Sequence, residues 1–113
     1  MNKQLIFDTV REHLLQQGEA SLNVLHNQSA YRGAGGRKCA IGCLIPDENY
    51  DARLEGKPVR RVAVVRAIDA KFGCTEKDAR GYFLYDLQGI HDWNDSTEWA
   101  RELEEFRLGN GLK

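Results

Sequence analysis

The chain has 113 residues, a length that fits one domain. Hydrophobic residues make up 42% and charged residues 29%, which excludes a disordered tail or a fibrous repeat. Sixteen basic against seventeen acidic side chains leave a net charge of −1, so direct nucleic-acid binding by the whole surface is not expected.

No apolar run reaches the roughly 18 residues of a membrane span, and the polar start Met1-Asn2-Lys3-Gln4 does not read as a signal peptide. Three cysteines cannot all pair within the chain. Reduced thiols in a cytoplasmic setting are the expectation.

Asn2 to Gln17 reads as an amphipathic helix, with Ile6, Phe7, Val10 and Leu14 on one arc and Gly18 as its stop. Residues 20–28 carry no decisive pattern. Ser29-Ala30-Tyr31-Arg32 and Arg37-Lys38-Cys39-Ala40-Ile41 flank Gly33-Ala34-Gly35-Gly36, which predicts a short β-hairpin around a glycine-rich turn. A helical turn is expected over Asp47 to Asp51, and Gly56-Lys57-Pro58 marks a boundary. A second long helix is predicted from Val59 to Phe72, ending at Gly73. A third is predicted from a capping box at Thr75 and Asp78 to about Trp93. Asp95 or Ser96 can cap a last helix carrying Trp99, Leu103 and Phe106, after which residues 110–113 should fray. The expected fold class is α+β, mostly helical, with four to five helices and one hairpin in a single domain over residues 1–113.

Charge is unevenly placed. Residues 29–66 hold eight basic and four acidic side chains, and residues 86–105 hold seven acidic ones against Arg101 alone. The middle of the chain therefore suits an anion, although surface pairing between the two halves explains the pattern equally well. The turn glycines, Gly33 among them, sit beside Arg32, Arg37 and Lys38. Backbone N–H groups there can approach phosphate or carboxylate oxygens, and arginine adds forked donors. The spacing matches neither a P-loop nor G-x-G-x-x-G, and a plain turn with solvated charges accounts for it as well.

In the third long helix, Ala79, Phe83, Leu87 and Ile90 form the core stripe. Gly81, Gln88 and Asp92 share another, with His91 between the two. Gln88, His91 and Asp92 can then project together, while a buried His91 with one satisfied nitrogen is the plainer outcome. Asp92 opposes the helix dipole, which suggests a basic partner. Tyr31 and Tyr50 lie beside charged residues and suit a flat ligand, or are simply surface tyrosines. Cys39 as a nucleophile with His91 as its base is an alternative, weakened because neighbouring side chains on one helix diverge. Cys39-x3-Cys43 makes a poor zinc site, since Cys74, His26 and His91 are scattered.

The runs Ser29-Ala30-Tyr31-Arg32-Gly33, Lys38-Cys39-Ala40-Ile41-Gly42-Cys43-Leu44-Ile45-Pro46-Asp47, Tyr50, Glu55-Gly56 and Leu87-Gln88-x-Ile90-His91-Asp92 cover much of the chain. Together they resemble a group of small proteins encoded by bacteriophages, prophages and other bacterial mobile elements. Its pattern is C-A-Y-R-G, K-C-A-x-G-C-L-I-P-D and L-Q-x-I-H-D, and Ser29 stands here in place of the first cysteine. The resemblance implies a setting, action inside a bacterial host cell, and no mechanism.

The expectation is a non-enzymatic binding protein without a cofactor. Its ligand would be small, anionic and nucleotide-like, such as a host immune signal that the protein sequesters. Arg32, Gly33, Arg37 and Lys38 would meet the anion, Tyr31 and Tyr50 the ring, and Gln88, His91 and Asp92 the polar edges. A homo-oligomer would help to enclose the ligand. The alternatives are a hydrolase or transferase using Cys39 and His91, and an acidic inhibitor that binds a host defence protein.

Overall fold

The computed structural model describes all 113 residues. Its helices are α1 (Lys3–Gln17), α2 (Val62–Ala67), α3 (Phe83–Trp93) and α4 (Trp99–Gly109), joined by short 3-10 turns. In α1, the Asn2 carboxamide accepts from the Leu5 N–H, and Gly18 closes the helix with φ +69°. Ile6, Phe7, Val10 and Leu14 are fully buried, as their spacing requires.

The predicted β-hairpin does not form, and the fold is all-α rather than α+β. No strand exists, and the one isolated bridge pairs Leu22, in the stretch without a decisive pattern, with Ser29, the first residue of the expected hairpin. Residues 34–36 make a 3-10 turn closed by a Gly33 N–H to Arg37 carbonyl bond of 2.8 Å. No backbone hydrogen bond joins residues 29–32 to residues 37–41. Ala30 and Tyr31 are both buried, and so are Cys39, Ala40 and Ile41 in succession. A half-buried strand must alternate inside and outside, and these runs do not.

Two predicted long helices are shorter than their periodicity suggested. The one expected over residues 59–72 is helical only as α2. Asp69 then turns its carboxylate to the Lys71 N–H and gives its own N–H to the Leu44 carbonyl, which starts a separate turn at residues 70–72. In the helix expected over residues 75–93, Thr75 N–H does donate to the Asp78 carboxylate at 2.7 Å. This caps only the turn Glu76–Ala79, and the chain breaks across Arg80-Gly81-Tyr82 before α3 begins.

The core is one cluster shared by all four helices, to which α4 contributes the fully buried Trp99 and Leu103. Phe106 stacks on Phe7 with centroids 5.9 Å apart and leans on Phe83 at 5.2 Å, joining α4 to α1 and α3. The last residues do not fray. Leu112 packs against the core, and Lys113 exchanges two hydrogen bonds with the Gln4 carboxamide, at 2.7 and 2.8 Å. No helix is long and apolar enough to cross a membrane.

Candidate functional site

A cleft of about 340 Å³ lies between α3 and two connecting segments, residues 28–31 and 56–59. Its α3 wall carries Tyr85, Gln88, Gly89, Asp92 and Trp93. The facing wall includes Ser29, Tyr31, Cys39 and Lys57. The volume is within the range of small-molecule sites.

Asp92 is the best-defined polar group here. Its Oδ1 accepts from Gln88 Nε2 at 2.8 Å and lies 2.9 Å from His91 Nδ1. The Ser21 backbone N–H donates to His91 Nε2 at 2.9 Å, so the ring proton sits on Nδ1 and goes to Asp92. Neighbours on one helix thus do orient each other, because the buried imidazole lies flat against Trp99, 5.4 Å away at 27°. Burial raises the Asp92 pKa, but bonds from His91, Ser29 and Gln88 outweigh it and hold the carboxyl below its ordinary value. Asp92 therefore faces the cleft as a fixed carboxylate.

Gln88 is committed at both ends. Its Oε1 accepts the Ile41 N–H at 2.9 Å, and its Nε2 also reaches Ser29 Oγ at 3.3 Å. The Tyr31 hydroxyl donates to the Lys57 carbonyl at 2.5 Å, pinning the two segments of the facing wall together. Trp93 stands at the rim, 81% exposed, with its indole edge against the space above Gly89. Tyr85 is half-exposed about two turns earlier on the same side of α3.

Of the residues singled out in the sequence, Tyr31, Cys39, Gln88 and Asp92 meet at this cleft. His91 stands behind Asp92. The other five are occupied elsewhere. Arg32 donates to the carbonyls of Gly42 and Ile45, each at 2.8 Å, pairs with Asp47, and lies 4.9 Å over the Tyr50 ring. The Tyr50 hydroxyl donates to Glu55 at 2.7 Å. That carboxylate also receives the Tyr31 and Arg32 N–H groups, at 2.9 and 3.0 Å. Arg37 pairs with Glu19. The Lys38 backbone is held by Gln17 and His13. At Gly33, a Cβ would overlap Ser21 Oγ and crowd the Leu22 N–H, so this glycine serves close packing of the chain on itself.

Burial pushes the Cys39 thiol up to about 12. Both His91 nitrogens are engaged, so the two residues do not form an activated pair. No three His, Cys, Asp or Glu side chains are grouped so as to hold a metal ion. Lys57, Tyr85, Gly89 and Trp93 were not singled out in the sequence. The signal was present in the helical spacing of Tyr85, Gly89 and Trp93 beside the Gln88–Asp92 stripe. Comparison with protein-family models, curated proteins and solved structures finds no match to this chain.

Proposed function

We propose that the protein is a binding module for a small ligand with a flat, polar ring of nucleotide-like size. One observation supports this reading above the rest: a clamped, ionised Asp92 faces a cleft whose rim offers the Tyr85 and Trp93 rings. Aromatic faces hold a planar ring by stacking, and a pre-oriented carboxylate selects ring N–H or ribose O–H donors without reorganising. Gln88 and His91 act through Asp92, fixing its position and charge.

Binding fits the site better than catalysis, because the cleft's thiol is held protonated and the imidazole has no free nitrogen. In the phage setting that the motifs suggest, such a protein would sequester a host signal. Native mass spectrometry of protein purified without denaturation is the test. The expected result is a single small-molecule adduct that Trp93→Ala removes. Bare protein under conditions that keep the fold intact would overturn the reading.

A further inference from the structure

The cleft holds one cation, Lys57, and the chain leads from it directly to others. Every arginine except Arg60, Arg61 and Arg80 lies in an ion pair with a carboxylate. Arg60 Nη2 donates to the Arg80 carbonyl at 2.9 Å, and Arg61 follows Arg60 in the chain, so the three residues share one stretch of surface. Lys57 also has no ion-pair partner. It does lie within electrostatic reach of Asp51, but that carboxylate is taken by Arg53 at 2.8 Å.

Geometry ties this unpaired group to the cleft. The Arg60 guanidinium lies 4.5 Å over the Tyr82 ring, and Tyr82 meets the cleft-lining Tyr85 edge-on, with centroids 6.2 Å apart. Lys57, Pro58 and Val59 belong to the facing wall, and Arg60 follows Val59 in the chain just outside the cleft lining. Stacking on Tyr82 restricts the guanidinium, which lowers the entropy that an incoming anion must remove. Cations left together without carboxylates repel one another, and an anion from outside the chain relieves that repulsion.

Resting on the reading that the cleft takes a flat ring, we infer that the ligand carries a phosphate, received by Lys57 and Arg60. Asp92 sets its polarity, since its fixed charge accepts donors of the ring and repels the phosphate towards the cationic rim. The anion site is thus built by the segment around α2, and the arginines beside the glycine turn serve the fold.

Trp93 fluorescence can follow titration with adenosine, guanosine, cytidine and uridine and with their 5′-monophosphates. For the base that binds best, the monophosphate should bind about tenfold tighter than its nucleoside, and Lys57→Ala and Arg60→Ala should each cut that ratio by at least about threefold. Raising the salt concentration should narrow it as well. Equal affinities, or a ratio that either substitution leaves untouched, would overturn the assignment of a phosphate to Lys57 and Arg60 and leave the ring-binding reading standing. No response to any of the eight probes, in protein whose fold is intact by circular dichroism, would overturn both.

Discussion

Asp92 shows how a single residue acquires its chemistry from neighbours that never face the cleft. Its folded-state pKa lies below the ordinary 3.8, because donated hydrogen bonds exceed the opposing effect of burial. A carboxyl depressed by folding stabilises the native state fully above that ordinary value, and the contribution disappears as pH falls through the lower folded value. Asp92→Asn should therefore cost stability near pH 7 and progressively less below about pH 4, an outcome read from urea midpoints across that range. An undiminished cost at about pH 3 would mean that Asp92 is not held as a charge. The polar cluster on this helix was legible in the sequence because Gln88 and Asp92 are one turn apart. The bond between His91 and Asp92 was not, because it depends on Trp99 in the next helix and on the Ser21 N–H from 70 residues away.

Helix α3 presents two faces with different tasks. Phe83, Leu84, Leu87 and Ile90 are buried in the core, while Tyr82 just before the helix, Tyr85 and Trp93 remain exposed along the outer side. Gly89 lies between them in the cleft wall, where an added Cβ would meet Trp93 Cδ1 at 3.4 Å. Glycine inside a helix costs about 1 kcal/mol relative to alanine, so Gly89→Ala should raise stability by roughly 0.5–1 kcal/mol. The same methyl narrows the cleft and should weaken ligand binding. Thermal melting and Trp93 titration on one preparation would show the two effects moving in opposite directions, and a variant that gains stability without losing affinity would argue that the ligand does not lie over Gly89.

Legibility at this scale depended on how far each element is governed by its own residues. The first helix was readable because its cap, apolar arc and stop are all local. The hairpin was misread because positive-φ glycines at positions 35 and 36 serve a 3-10 turn as well as a β-turn. What decides between them is anchoring to other segments: Glu55 and the Arg32 guanidinium hold the first flank, and Gln17 and Gln88 hold the second.

At the level of the whole molecule, the quoted motifs mostly bind the chain to itself. Arg32, Asp47, Tyr50 and Glu55 form one network, and Gln88 joins the Ile41 N–H to α3. A single core that all four helices share should unfold as one unit. Helical circular dichroism and the fluorescence of buried Trp99, measured with Trp93 replaced by phenylalanine, should give coincident urea transitions. Separate midpoints would reveal a subdomain that the packing does not indicate.

The Asn23–Gln28 loop stands apart from this cooperative body. It is closed by the Asn23 N–H to the Gln28 carbonyl at 2.7 Å and by the Leu22–Ser29 bridge. Its tip exposes Val24 and Leu25 and bends through Asn27 at φ +51°. A protease selective for aliphatic side chains can therefore nick the chain at Leu25 while the core stays folded. Because Gln28 and Ser29 at the loop's end line the cleft, an occupied cleft would slow that cut, and the digestion rate becomes a gauge of occupancy that needs no chromophore.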